Sequence, residues 1–239
     1  MIYRKDISER SPLRVFERSI HGGLGRGNIG LVMSRAGVGK TAFLVDVGMD
    51  DAMRDRKVLH VDTEHTAERV RQYYEEVFHD LAQGMGREDR EAAHLAIERN
   101  RMIHSFVGGS FHLDRLRQAL QYMKDHIEFV PSLIILDGFP QWEESNAEQL
   151  SESLEAIKQM ARDTDTEVWL SAQGHREDER DELGVPLRLQ PYLEYLSVVV
   201  RLVPESNQVR LQLIKDHDNP DLADLHIELD PRTLLLKWQ

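Results

Sequence analysis

Residues 34–41 read Ser-Arg-Ala-Gly-Val-Gly-Lys-Thr, and their flanks leave few folds open. The apolar run Ile29-Gly30-Leu31-Val32-Met33 precedes them, and the helix-like run Ala42-Phe43-Leu44-Val45-Asp46-Val47 follows. Strand, glycine-bearing loop and helix in that order, with Gly39-Lys40-Thr41 at the junction, form the context of a phosphate-binding loop. Gly37 and Gly39 let backbone N–H groups turn inward onto an anion. The N-terminus of the following helix adds its partial positive charge at the same point. In such a loop Lys40 reaches the β- and γ-phosphates of a nucleotide, and the Thr41 hydroxyl ligates Mg2+. The nucleotide contacts expected here are Ser34, Arg35, Ala36, Gly37, Val38, Gly39, Lys40, Thr41 and Ala42. The consensus places glycine where this chain has Ser34, a residue small enough to fit.

The remaining sequence alternates strand and helix patterns. After the loop's helix, Lys57–Thr63 reads as a buried strand, 66–82 and 88–99 as helices, and Met102–Val107 as a strand. A helix follows near 111–125, then Leu133-Ile134-Ile135-Leu136, a bare aliphatic run of the kind found at the centre of a parallel sheet. A helix over 147–163 and the strand Glu167–Ser171 continue the alternation. The economical architecture is α/β, a mostly parallel twisted sheet flanked by helices. The last third changes character. Val198–Val203 and Gln208–Ile214 flank Pro204-Glu205-Ser206-Asn207 as a hairpin, and Leu225–Leu229 with Thr233–Lys237 reads as a second pair of strands. Residues 1–28 form an N-terminal lead-in segment with a short helix around 13–20 and a glycine-rich turn, and 29–239 form one domain.

Composition narrows the chemistry. The 239 residues hold no cysteine, which removes disulfides, thiolate metal sites and cysteine nucleophiles and fits a reducing, cytoplasmic interior. The eleven histidines show no His-Glu-x-x-His or other tight ligand spacing, so no zinc site is read. The first residues lack the apolar core of a secretion signal, and no run approaches the roughly 18 apolar residues of a membrane span. A formal charge of −12 argues against a large nucleic-acid footprint, but not against a nucleotide held in a locally positive loop.

Three strand ends carry further candidates. Asp137 closes the aliphatic strand, where a carboxylate either holds Mg2+ beside the loop's threonine or caps the turn at Gly138. Glu143 and Glu144 lie beyond that strand end and are weaker candidates. Glu64 follows the second strand; it can polarise a water for in-line attack, or supply favourable charge at a helix N-terminus. If the strand is regular, Asp62 is expected to face the other way. Gln173 ends the next strand, where an amide can sense the γ-phosphate or simply leave the sheet. His175 and Arg176 read as a solvated loop, and Lys215 and His217 as an exposed turn after the C-terminal strand.

Over about residues 20–237 the chain resembles the RecA/KaiC/DnaB-type P-loop ATPases, closest to a KaiC-like single RecA domain. Gly22-Gly23-Leu24-Gly25-Arg26-Gly27 resembles the lead-in of KaiC-like domains, and Ser34–Phe43 resembles the loop of replicative helicases. Val61-Asp62-Thr63-Glu64-His65 resembles the RecA stretch with the catalytic glutamate. The resemblance implies a RecA-like core, ATP with Mg2+, Glu64 as general base, Asp137 as the Walker B carboxylate and Gln173 as the sensing glutamine. It further implies a homo-oligomer, hexameric or filament-like, whose site is completed at a subunit interface. The family's trans-acting basic pair would fall on Lys215 and His217, with histidine in place of arginine.

The loop after Gln173, residues 174–186, faces nucleic acid in RecA-like motors. Here it carries five acidic residues against two arginines, a net of −3, which repels a phosphate backbone. The expectation is therefore an ATPase acting on a protein partner as a nucleotide-dependent regulator. A recombination or helicase-related motor is the alternative.

Overall fold

The computed structural model describes residues 11–139, 142, 146–174, 178–181 and 185–238. The expectations placed on residues 1–10, Glu143, Glu144, His175 and Arg176 lie outside these residues. In chain order the elements are α1 (Pro12–Ser19), β1 (Ile29–Ser34), α2 (Lys40–Met53), β2 (Val58–Asp62), α3 (Ala67–Leu81), α4 (Arg87–Asn100), β3 (Arg101–Ser105), α5 (Leu113–Ile127), β4 (Leu133–Asp137), α6 (Ala147–Asp163) and β5 (Glu167–Gln173). A short 3-10 turn, Leu187–Tyr192, leads to β6 (Val198–Pro204), β7 (Val209–Asp216), β8 (Ile227–Leu229) and β9 (Leu236–Trp238). They build one sheet of nine strands in the order β3-β2-β4-β5-β1-β6-β7-β8-β9. The strands from β3 through β6 run parallel, and β6 through β9 antiparallel. The expected α/β architecture and both C-terminal hairpins form.

The strand sequences explain the layering. β1, β2 and β4 are buried at every position, as strands covered on both faces must be. On one face Val32, Val58, Ile135 and Trp169 pack against Leu13 and Phe16 of α1, Phe43 and Leu44 of α2, Tyr74 of α3 and Ile97 of α4. On the other, Leu31, Val61, Leu136 and Leu170 pack against Leu116 and Leu120 of α5 and Leu154 and Ile157 of α6. The antiparallel strands join the first layer through Leu211, Leu213, Ile227 and Leu229. Asp46 of α2 fastens the last strand, its Oδ2 accepting the Leu236 amide at 3.1 Å. Among the described residues no helix is long and apolar enough to cross a membrane.

Some boundaries shift for local reasons. β5 runs on to Gln173 because its ladder with β1 continues to the pair Ser34–Gln173. α5 extends to Ile127, where Glu128 turns left-handed at φ 54° and its amide closes on the Met123 carbonyl. α6 starts and stops at the expected residues: Asn146 and Gln149 form a reciprocal capping box.

α1 docks through a charged patch as well as through Phe16, whose ring meets Phe43 and Trp169. Arg14 bonds Asp50 and Glu17, Arg54 reaches Glu17 at 3.1 Å, and Arg56 reaches Asp51 at 3.3 Å and Glu167 at 2.9 Å. Carboxylates outnumber guanidinium groups in this patch by four to three. Burial pushes Asp50 up to about 6 and Asp51 to about 8, with Arg56 opposing and Glu167 adding to the rise at Asp51. The folded chain thus binds the Asp51 proton more tightly than the unfolded chain does. That stabilisation is complete below the ordinary aspartate range and is lost as pH rises through about 8.

Two outcomes follow from this packing. Gly30→Ala puts a methyl group 2.7 Å from Cε3 of Trp169, a ring already wedged against Phe16 and Phe43. Overpacking of this kind costs about 1–3 kcal/mol, readable by urea unfolding. The urea midpoint should also fall between pH 6 and pH 9, and Asp51→Asn should flatten that fall.

Candidate functional site

The parallel strands deliver Ser34, Asp62, Asp137 and Gln173 to one rim of the sheet. At that rim β1 ends, and Arg35–Gly39 loops into α2. Ser34 is buried and still within the strand, so its position needs no glycine; its Oγ donates to the Arg35 carbonyl at 2.9 Å. Gly37 and Gly39 hold φ +72° and +120°, the left-handed region that favours glycine. A Cβ on Gly39 would stand 2.4 Å from Leu229 Cδ2, so β8 presses the loop from behind. No side chain caps the N-terminus of α2, which leaves its first amides for a ligand. Arg35, Ala36 and Gly37 are exposed, whereas Ala42 is buried against the core.

Lys40 lies half-buried at the start of α2. Burial lowers its pKa, and the Asp137 and Glu64 carboxylates raise it in opposition. Thr41 Oγ1 donates to Asp137 Oδ2 at 2.6 Å. Ser171 Oγ donates to Asp137 Oδ1 at 2.6 Å and accepts the Gly138 amide at 2.8 Å. β5 lies between β4 and β1, so Ser171 reaches Asp137 from the adjacent strand. Nothing in Trp169-Leu170-Ser171 marks Ser171 along the chain; its role comes from the strand order that sets β5 beside β4.

Glu64 stands on the turn after β2 and is exposed. Its Cγ would lie 2.8 Å from a Cβ on Gly138, so the glycine after Asp137 makes room for the Glu64 side chain. The turn is shaped by Asp62, whose Oδ1 accepts the amides of Glu64 at 2.7 Å and His65 at 2.6 Å. Here the expectation for Asp62 needs correction. Asp62 pairs in register with Asp137, and the two carboxylates share a face of the sheet. Residues two apart in a strand point to the same side, so alternation gives no ground for turning Asp62 away from position 64, and the strand in any case stops at Asp62. Burial and the Asp137 charge raise the Asp62 pKa, against its two amide bonds.

His60, two residues earlier on the same face, is wholly buried. Its Nδ1 lies 3.0 Å from Tyr74 Oη, and burial pushes its pKa down to about 4, so the ring is neutral. The histidines carry no metal spacing along the chain, yet strand pairing brings ligand atoms of His60, Asp62 and Asp137 within 4.8 Å of one another.

Gln173 is exposed beside Ser34, its carbonyl accepting Arg188 Nη2 at 2.5 Å. Lys215 and His217 do not join this group. β7 runs antiparallel to β6, and Lys215 pairs with Val199 near the start of β6, towards the sheet edge opposite the loop. Lys215 Nζ donates to the carbonyls of Leu193 at 2.5 Å and Leu196 at 2.6 Å. His217 sits 2.9 Å from Asp216 Oδ1 through Nδ1 and 3.1 Å from the Leu24 carbonyl through Nε2.

The residues at the rim suit a Mg2+-nucleotide. A loop turned by two left-handed glycines, uncapped helix amides, a half-buried lysine and a threonine–aspartate pair supply anion donors and hard oxygen ligands together. No curated protein matches the chain. A family model described as AAA domain matches residues 5–179, a span that holds the phosphate loop, Glu64, Asp137 and Gln173. With most of its length matched, this chain belongs to the AAA domain family of P-loop ATPases.

Proposed function

We propose that the chain binds Mg-ATP at the rim, hydrolyses it slowly, and acts as an oligomeric, nucleotide-dependent regulator of a protein partner. The observation that carries the nucleotide reading is the Thr41–Asp137 bond at 2.6 Å, beside a lysine that faces both Asp137 and Glu64. The loop from Ser34 to Ala42 would cradle the phosphates, with Lys40 as their cation. Thr41 and Asp137 would hold Mg2+, which supplies charge neutralisation at the phosphate oxygens when bound. Glu64 is the general base of this reading: exposed, next to the rim, and fixed through its own amide by Asp62. Gln173, beside Ser34, is the group proposed to sense the γ-phosphate and pass its loss to the loop that follows.

The oligomeric part of the proposal assigns Lys215 and His217 of a neighbouring copy to the completed site. Their place away from the loop supports use in trans rather than within one chain. Both are bonded to carbonyls of their own chain, so reaching across requires those bonds to be released, which supports slow turnover. The net charge of −12 supports a protein partner over a nucleic acid.

One observation favours the second reading, a recombination or helicase-related motor. Burial lowers the pKa of Arg201 on β6, and Arg180, Arg210 and Arg35 add to the lowering, so guanidinium groups gather near the phosphate loop. Such a group could meet a phosphate backbone despite the acidic composition.

Calorimetry with Mg-ATP tests the site. Lys40→Ala should weaken binding by about 1.5–3 kcal/mol, the worth of a charged hydrogen bond. Glu64→Gln should bind ATP as before but turn over about 100- to 10,000-fold more slowly; an unchanged rate removes Glu64 as the base. Light-scattering mass with and without ATP, repeated with a single-stranded oligonucleotide, separates the two roles. Assembly driven by ATP alone supports the regulator, and DNA-stimulated turnover at physiological salt supports the motor.

A further inference from the structure

One buried group in the rim has no part in nucleotide binding. His60 is fully buried; its Nδ1 is engaged with Tyr74 Oη at 3.0 Å, and its Nε2 has no hydrogen-bond partner among the described residues. An unpaired buried polar atom costs about 1–3 kcal/mol, so it calls for a ligand. The neighbours of this ring are carboxylates rather than donors. Asp62 and Asp137 are paired in register on adjacent strands, and both are buried. Two carboxylates this close repel each other in a medium of low polarity, and a cation between them removes the repulsion.

We propose that His60, Asp62 and Asp137 form a second divalent-cation site beneath the phosphate loop, selective for a transition ion of the Mn2+ class, with His60 Nε2 as its nitrogen ligand. One ligand atom from each residue lies within 4.8 Å of the other two. Three ligands about 2.1 Å from one ion stand about 3.0–3.6 Å apart, so binding draws together any of the three that lie farther apart than this. The oxygens retain capacity for this. A carboxylate offers about four lone-pair directions. Asp137 accepts from Thr41 and Ser171, whereas Asp62 accepts two amides on Oδ1 and faces His65 Nδ1 at 3.1 Å on Oδ2.

The surroundings of the imidazole fit a metal ligand. A histidine that binds through one nitrogen donates the other N–H to an oxygen, which fixes the tautomer and the ring. Tyr74 Oη is that oxygen when Nδ1 carries the proton, leaving the Nε2 lone pair for the ion. Tyr74 is itself fixed, since a Cβ on Gly48 would lie 2.5 Å from its Oη and the Arg101 guanidinium covers its ring at 4.4 Å. One imidazole and two carboxylates are a mixed donor set that suits Mn2+ or its heavier neighbours, whereas Mg2+ prefers oxygen ligands and retained water. The site shares Asp137 with the nucleotide reading but uses only side chains, so its occupancy does not require ATP.

The test adds MnCl2 to the full chain without nucleotide and follows the ion by electron paramagnetic resonance. The wild type should bind Mn2+ in the presence of a tenfold excess of Mg2+ and show nitrogen-14 coupling from a bound imidazole. His60→Gln should lose the coupling and bind at least about tenfold more weakly, with its circular dichroism unchanged. Tyr74→Phe should keep the coupling while its affinity falls about 10- to 100-fold, as when a ligand's outer hydrogen bond is removed. Absence of nitrogen coupling in the wild type overturns the proposal even if His60→Gln fails to fold. Mn2+ that binds only after ATP is added, without nitrogen coupling, also overturns it, because that ion belongs to Thr41 and the phosphates. Loss of ATP heat with the nitrogen signal intact would refute the nucleotide reading and leave this site standing.

Discussion

The Asp137 carboxylate is the junction of the rim. Thr41 from α2 and Ser171 from β5 donate to its two oxygens at 2.6 Å each, and its own carbonyl accepts the Thr63 amide at 3.1 Å. Three strand ends and the phosphate-loop helix therefore meet on one residue. Hydrogen bonds to a charged acceptor are shorter and about twice as strong as neutral ones, so this junction is stiff. Stiffness matters here because catalysis on phosphates rests on placement and electrostatic stabilisation more than on covalent chemistry. Gly138, next in the chain, completes the arrangement by leaving space for Glu64.

The core is what lets that junction exist. Asp62 and Asp137 lie buried at the ends of strands whose other positions are almost all apolar, so their charges sit where water is scarce. Carboxylates in such a place need donors, and each has them: amides for Asp62, hydroxyls for Asp137. The C-terminal strands contribute from outside the parallel sheet. Leu229 backs Gly39, and the Leu236 amide satisfies the buried Asp46 on the phosphate-loop helix. Antiparallel strands that read as an appendage along the chain thus brace the helix that carries Lys40 and Thr41.

Most of the fold was legible because periodicity is local. The bare run Leu133–Leu136 read as a central strand, and the helix read over 147–163 forms over those residues, where the structure shows Asn146 and Gln149 capping it. The phosphate loop was legible for the same reason: motif and flanks are contiguous. Asp62 was misplaced because residues two apart in a strand share a side rather than oppose each other, and here the chain turns on the Asp62 side chain itself. Ser171 and His60 were invisible because each owes its importance to a residue on another strand, and strand order is not a local property.

The sequence by itself determined that a phosphate-sized anion can be held where β1 gives way to α2, and that an alternating sheet stands behind it. Both follow from residues adjacent in the chain, whose backbone preferences act over a few bonds. Only the tertiary structure decided which side chains face that loop. It set Asp62 beside Asp137, aimed Ser171 at the same carboxylate, buried His60 beside two charges, and carried Lys215 and His217 away from the loop. Those relations come from register and strand order, which are fixed by the burial of the whole sheet and not by any segment of it.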